Sequence, residues 1–583
     1  MIKKVHAHIK GILYRKLFQK KPRIIKNAKA PKTRAGQLLM SRRQVGEYPH
    51  FFVIPSKKII SLPEGAKSIL YPLIKPYSYA HIRFDEQEEV LIYNVMEPKL
   101  TPEEAELYEK IKEGMIQVID VSMATAKNED SMVDFLEEKV RFLLAEYALE
   151  ITAQQYLKLM YYIYRDFIGL NEIEPLLRDP YIEDISCDGN GVPIYVVHQK
   201  LGSIKTNVVF DGDEKKLREM VIKLAERCDR YVSYAEPLLD GALPDGTRVQ
   251  ASLAGDVTTK GPTFSIRKFP EKPFSAVDII ALGTADIDML AYIWFIVEHG
   301  SNILITGGTA TGKTSLLNSV SLFIIPEAKI VSIEDTRELN LPHENWIPGV
   351  SRTGFASTKT GEVSMFDLLK ESFRQNPDYL IVGEVRGEEA NVMFQGMASG
   401  HPCISTMHAG SVDDVLKRLQ TRPISLPPGL IETLDVVILM THAREKGRSA
   451  RRVKEIIEIE RVDPDSGKAQ TNKIFSWDPV TDKFEFHGSS HLLGKISAEN
   501  GIPLEKIYDE VEDRRSVIEW LASYEKRDWK EVARYIVLYY RDKAKVMRAV
   551  GRHRRKRVFG AQEMQPVEPQ IEQIENTDEQ EQY

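Results

Sequence analysis

One stretch restricts the fold of this chain more than any other: "ILITGGTATGKTSLL", residues 303–317. An apolar run enters a glycine-rich turn, and a helix carrying Leu316, Leu317, Val320 and Phe323 leaves it, stopping before Pro326. The spacing G-x-x-x-x-G-K-[ST] is met by Gly307, Gly312, Lys313 and Thr314. Strand, loop and helix in that order form an anion cradle, because glycines let backbone N–H groups converge on phosphate oxygens and the helix N-terminus adds partial positive charge. Lys313 is placed to reach β- and γ-phosphates, and Thr314 to offer a hydroxyl to magnesium. Gly307, Gly308, Thr309, Ala310, Thr311, Gly312, Lys313, Thr314 and Ser315 are therefore the expected binding residues for a nucleoside triphosphate with Mg2+. A glycine turn that holds no nucleotide is the alternative reading.

Around this loop the chain reads as α/β. Short apolar runs at 302–306, 329–334, 379–382, 402–407 and 436–440 alternate with helical segments, which predicts a mostly parallel sheet covered on both faces. Ligands of such sheets sit at the carboxyl ends of the strands, so the residues there are candidates for chemistry. Glu334 and Asp335 follow "KIVSI", Glu384 follows "YLIVG", and "GHPCISTMHAG" presents His401, Thr406 and His408. Hydrolysis needs a group that orients or deprotonates water, and carboxylates are the usual choice. Either glutamate could instead cap the next helix, and a lone histidine is more often structural. One feature is unusual: the residue before Glu384 is Gly383, where most nucleotide-hydrolysing folds carry an aspartate that helps hold magnesium.

The remainder divides by pattern. Residues 1–46 form a basic arm with fourteen Lys and Arg and no acid, although the whole chain has net charge −6. Ile2, Val5, Ile9, Ile12, Leu13 and Leu17 recur there at helical spacing, which suits a helix lying on anionic lipid or an acidic partner surface. A solvated arm is the competing reading, and nucleic-acid binding is disfavoured because Tyr14 and Phe18 are its only Tyr, Phe or Trp. Residues 47–166 read as a small sheet followed by helices, with Thr101 capping "PEEAELYEKIKEGM". Residues 167–275 read as an α+β domain ending in a proline-containing linker, 276–452 as the α/β domain, and 453–558 as a β appendage with a helical C-terminal region. Residues 559–583 end in an acidic tail. Cys187, Cys228 and Cys403 are too few and too scattered for a disulfide framework or a tetracysteine zinc site. The longest nearly apolar run, "MLAYIWFIV", is half of what a bilayer crossing needs, so a cytoplasmic protein is expected.

Four segments in this order, the loop at 307–314, the acidic "EDTRE" at 334–338, the Gly383–Glu384 strand end and the histidine segment 400–408, resemble the type II/type IV secretion ATPase superfamily. The strings "LPHENWIPGVSR", "GEVRGEEA" and "IFSWDPVTDKFEFHGSS" are similar to its archaeal branch, which includes the archaellum motor and archaeal pilus or secretion ATPases. The resemblance implies a RecA-like P-loop domain that binds ATP with Mg2+, and Glu384 as general base where this family carries Gly-Glu. It implies a site role for His408, magnesium held by Thr314 and through water by Glu334, and a further family arginine at Arg386. "LPDGTRVQASL" and "TFSIRKF" look like the segments whose arginines fold over the nucleotide, here Arg248 and Arg267. It further implies a homo-hexameric ring at the cytoplasmic face of a membrane, working with a polytopic platform protein and pilin-like, archaellin-like or secreted substrates. A RecA-like nucleic-acid translocase and a non-hydrolysing regulatory ring subunit are the alternatives. Nucleic acid is the less expected partner, because no recognisable nucleic-acid motif accompanies the basic clusters.

Overall fold

The computed structural model describes residues 48–55, 68–118, 129–210, 214–253, 257–269, 272–352, 361–445 and 448–559. The basic arm and the acidic tail expected from the sequence lie outside these residues. The chain divides into two compact units, Met1–Phe269 and Pro270–Tyr583.

The first unit is built on ten strands: β1 (Ile54–Pro55), β2 (Ser68–Lys75), β3 (Ser78–Asp85), β4 (Val90–Met96), β5 (Ile182–Cys187), β6 (Pro193–His198), β7 (Gly202–Val209), β8 (Leu238–Ala242), β9 (Arg248–Ser252) and β10 (Thr263–Arg267). Their order is β1-β2-β3-β4-β7-β6-β5-β10-β9-β8. The split expected between residues 47–166 and 167–275 is not a break in this sheet. β4 pairs in parallel with β7 through Ile92 and Tyr93. A buried carboxylate reinforces that seam, because Tyr71 and Tyr93 hydroxyls donate to Asp179 Oδ2 at 2.6 and 2.5 Å. Helices α1 (Pro102–Val118), α2 (Glu129–Glu146) and α3 (Ala153–Phe167) share a second core with Phe51, Ile74 and Tyr77. α1 starts where the sequence predicts: Glu104 N donates to Thr101 Oγ1 at 3.2 Å while Thr101 N donates to Glu104 Oε2 at 2.9 Å, a reciprocal cap. Helix α4 (Glu214–Arg227) lays Leu217, Met220, Val221 and Leu224 in the main core with Ile185, Val249 and Ile266.

The second unit carries β11 (Ile303–Gly307), β12 (Ile330–Glu334), β13 (Trp346–Val350), β14 (Tyr379–Val385), β15 (Cys403–Met407), β16 (Val436–Glu445), β17 (Arg448–Val462), β18 (Ala469–Asp478) and β19 (Lys483–Phe486). They lie in the order β13-β12-β14-β15-β11-β16-β17-β18-β19, parallel as far as β16 and antiparallel beyond it. The β appendage expected after residue 452 thus extends the nucleotide-domain sheet, because β16 and β17 form one long hairpin. Alternation along the central strands feeds two cores: Ile303, Ile305 and Ile381 face one, Leu304, Leu380 and Val382 the other. The apolar run Met289–Val297 belongs to the buried helix α5 (Ile287–Glu298), which explains its hydrophobicity without a bilayer. Helix α6 (Lys313–Ser321) leaves the phosphate loop, and α7 (Leu504–Ser523) and α8 (Trp529–Arg541) complete the α5 side of the core. Among the described residues no helix is long and apolar enough to cross a membrane.

Candidate active site

β11 lies in the middle of the sheet, and its ladder with β16 closes at the pair Gly307–Met440, where the loop begins. A Cβ on Gly307 would sit 2.6 Å from Thr311 Oγ1 and 2.7 Å from Met440 O, so only glycine fits. Gly312 caps α6 with φ +91°, a left-handed conformation that glycine adopts without strain. Thr311 Oγ1 donates to Gly308 O at 2.9 Å and closes the turn. Gly308, Thr309 and Ala310 are exposed on its outer side, whereas Thr314 and Ser315 are half-buried in the first helical turn. Lys313 is buried and its Nζ donates to Gly307 O at 3.2 Å and Gly308 O at 3.0 Å. Burial holds its ammonium pKa below the usual lysine value, an effect that the Glu384 carboxylate opposes.

Three further candidates join Lys313 in one line of contacts. Lys313 Nζ lies 3.2 Å from His408 Nδ1, and His408 Nε2 lies 2.8 Å from Glu384 Oε1. An ammonium can only donate, so Nδ1 accepts and the imidazole proton resides on Nε2, facing the carboxylate. Burial keeps His408 below its ordinary pKa, Lys313 and Arg386 add to the effect, and Glu384 opposes it. The other oxygen of Glu384 takes a hydrogen bond from the Arg386 guanidinium, whose Nη1 is 3.6 Å from Asp335 Oδ2. The base candidate is therefore hydrogen-bonded to an arginine on one side, while on the other its Oε1, with no hydrogen-bond partner among the described residues, lies 2.8 Å from the histidine that the phosphate-loop lysine holds.

Glu334 answers why a glycine precedes Glu384. A Cβ on Gly383 would stand 3.0 Å from Glu334 Cγ, so the glycine makes room for that side chain to cross the neighbouring strand. Thr406 holds the same spot from the other side, its Oγ1 donating to Gly383 O at 2.7 Å. Glu334 Oε1 accepts from the backbone N–H of Glu338 at 2.9 Å and of Leu339 at 3.0 Å, bonds that fix the loop after β12; no helix starts there, so this is not the helix cap weighed as its alternative role. Its Oε2 is buried with no partner among the described residues, and burial raises the carboxyl pKa to about 7. The segment after Glu334 is stitched to the loop helix: Asn318 Nδ2 donates to Glu338 O at 3.0 Å, and Asn340 N to Asn318 Oδ1 at 3.1 Å. Asn318 lies one turn beyond Thr314 on the same helix face. A buried carboxylate oxygen with no hydrogen-bond partner among the described residues, followed by a segment stitched to the helix that carries Thr314, fits a hard divalent cation such as Mg2+.

The other predicted residues have partners of their own. Arg248 and Arg267 belong to the first unit, where they are register partners on β9 and β10. Each has taken a carboxylate: Arg248 Nη2 is 3.3 Å from Asp240 Oδ2, and Arg267 Nε is 3.0 Å from Asp184 Oδ1. His401 stands before β15, at the end of the strand opposite His408, and packs edge-on against Phe373. Sequence reading missed His442 and Arg451. Their Nε2 and Nε donate to Thr309 O and Ala310 O, both at 3.0 Å. Only the pairing register of a hairpin brings these two residues together, and no motif announces it.

Comparison with known proteins finds relatives of this chain. The family profile described as "Type II/IV secretion system protein" matches residues 170–479, more than half of the chain. The uncharacterised protein MJ0900 of Methanocaldococcus jannaschii is 35% identical over 525 residues, covering 86% of this chain and 93% of that one. The type IV secretion system protein PtlH homolog of Bordetella bronchiseptica is 33% identical over 272 residues, covering 40% of this chain and 78% of that one. The probable conjugal transfer protein TrbB of Sinorhizobium fredii is 32% identical over 250 residues, covering 42% and 74%.

Proposed function

This chain belongs to the type II/IV secretion system protein family, and on that premise we propose that it is an ATP-hydrolysing motor subunit. The work drives assembly of a pilus-like or archaellum-like filament, or export of protein, at the cytoplasmic face of a membrane. The observation that carries the reading is the unbroken contact from Lys313 through His408 to Glu384.

In the proposed reaction a water oxygen forms a bond to the γ-phosphorus while the bridging oxygen departs with ADP. Glu384 takes the proton from that water. A base must be ionised and aimed to do this: Arg386 holds one oxygen of Glu384, and His408 Nε2 stands 2.8 Å from the other, which takes no hydrogen bond among the described residues. Residues 307–315 bind the phosphates through backbone N–H groups, and Lys313 exchanges its two loop carbonyls for phosphate oxygens. Thr314 and Glu334 are the residues that would hold Mg2+, whose charge offsets that of the β- and γ-phosphates. Arg248 and Arg267 add positive charge at the γ-phosphate, in the nucleotide site of their own chain or of a neighbouring copy. Their present partners are surface carboxylates, and ion pairs of that kind are worth little, so exchange for phosphate is inexpensive.

The subunits form a closed hexamer through head-to-tail contacts, and its partner is a polytopic membrane protein. The basic arm at 1–46 tethers the ring to anionic lipid or to an acidic loop of that partner. Phosphate release by the full chain tests the reaction. Glu384→Gln should lower it by about two to four powers of ten while nucleotide stays bound, and unchanged release would remove Glu384 from its role. For the tether, deletion of residues 1–43 should abolish binding to anionic vesicles while release in solution persists.

A further inference from the structure

We propose that the overhang of the β16–β17 hairpin is a clamp on the phosphate loop, with His442 and Arg451 as positioning residues that set how tightly the loop grips phosphate. The inference rests on the nucleotide reading above. It names residues that none of the four sequence segments contains.

The argument starts from register. β16 follows β11 in parallel from Val436 to Met440 and there loses its partner, because β11 ends in Gly307 and the chain turns into the loop. β16 nevertheless continues to Glu445, held by β17 alone. This overhang runs alongside the loop. His442 and Arg451 are direct partners across the hairpin, so their side chains leave on one face. Both reach the loop: His442 Nε2 donates to Thr309 O and Arg451 Nε to Ala310 O, each at 3.0 Å. Arg451 Cδ also lies 3.1 Å from where a Cβ on Gly312 would stand.

A nest that points its N–H groups inward at an anion must point carbonyls outward, and those carbonyls need partners. The hairpin supplies partners to two consecutive ones. It acts on the least comfortable part of the loop, since Ala310 has φ +59° with a Cβ to accommodate. Holding its carbonyl keeps that conformation in place before nucleotide arrives, which is preorganisation of the binding N–H groups.

Arg451 is in turn held from behind. Arg452, the next residue and hence on the opposite face, is buried, and its Nε and Nη2 donate to the two oxygens of Asp482 at 2.9 Å each. Its Nη1 donates to Leu282 O and to Arg451 O, both at 3.1 Å. Trp477 Nε1 donates to the same Asp482 at 2.7 Å. A fork pair of this geometry fixes the strand backbone, and so the origin of the Arg451 side chain.

The test exploits a coincidence of shape. Glutamine places its Nε2 the same number of bonds from Cβ as histidine Nε2 and arginine Nε. His442→Gln with Arg451→Gln therefore keeps both donors and removes the arginine charge, while His442→Phe with Arg451→Met removes both donors. A fluorescent ADP analogue with Mg2+ is titrated against the full-length variants, with Lys313→Ala in parallel, and KM and kcat for ATP are measured separately. The Phe/Met pair should weaken binding about 30-fold, as expected for two lost hydrogen bonds of which one is charge-assisted, and raise KM more than it lowers kcat. The Gln pair should stay within about threefold of wild type. Both positions are exposed, so melting temperatures should hold, and the single variants carry the same contrast should a double variant unfold. Equal weakening by both pairs would overturn the clamp in favour of arginine charge acting directly on phosphate. Unchanged binding by the Phe/Met pair while Lys313→Ala loses the analogue would overturn it outright. If Lys313→Ala also binds normally, the nucleotide reading falls and the clamp falls with it.

Discussion

The two sets of charged residues assigned to one reaction are held in opposite ways. In the second unit Lys313, His408, Glu384 and Arg386 lock one another, and the Lys313 ammonium is buried. In the first unit Arg248 and Arg267 sit side by side on paired strands, with side chains 31% and 67% exposed, each leaning on a single surface carboxylate. On the proposed reading, groups that must be aimed before the reaction are restrained by contacts with one another, even where the side chain is as exposed as that of Arg386. Groups that must respond to the nucleotide are left on weak, exchangeable ones. The first set is bound into mutual contacts, and the second is a pair of available cations.

That contrast breaks most visibly at the arginines. Arg248→Ala with Arg267→Ala should lower the steady-state rate of phosphate release by about three powers of ten, the scale of a charge supplied to a γ-phosphate in transfer, with little change in melting temperature. An unaffected rate would reduce the pair to ordinary sheet-edge residues. Next comes Glu334, a buried carboxylate of the second unit. Its pKa is raised from 4.5 to about 7 in the folded protein, so the unfolded chain ionises first as pH rises. The native state is thus favoured below about pH 4.5, and that advantage is lost as pH climbs through about 7. Without Mg2+ and nucleotide, denaturant titration should show a decline of up to about 3 kcal/mol across that window, and Glu334→Gln should flatten it. A smaller effect is expected of His408→Ala: about 10- to 100-fold in kcat through misplacement of Glu384, with nucleotide affinity shifting less. Equal losses in kcat and affinity would show that His408 serves the loop lysine rather than the base. Smallest is Gly383→Ala, whose Cβ presses on Glu334 Cγ and should cost about 1–2 kcal/mol of stability by denaturant titration.

Much of the second unit was legible because local chemistry specifies it. Glycine spacing, the lysine and the threonine announce the loop wherever the chain goes, and apolar runs of strand length announce a sheet buried on both faces. The cap at Thr101 is equally local. What escaped depends on pairing between distant segments. Nothing in residues 90–96 or 202–209 states that β4 and β7 join in parallel, so one sheet looked like two regions. The extension of the nucleotide sheet through β17–β19 looked like an appendage for the same reason. His442 and Arg451 meet through hairpin register, which shifts at a bulge between Leu439 and Met440 that the amino-acid pattern does not betray. The reason for Gly383 was also hidden, since it lies in the side chain of Glu334 on the adjacent strand.

The account turns on His408 joining the loop lysine to the carboxylate base, and 15N NMR of histidine-labelled full-length protein observes that link without relying on turnover. With signals assigned by His408→Gln, the nucleotide-free protein at pH 7 should show a neutral ring protonated on Nε2, titrating below the ordinary histidine range. A ring protonated on Nδ1, or an imidazolium at pH 7, would contradict the Lys313–His408–Glu384 connection.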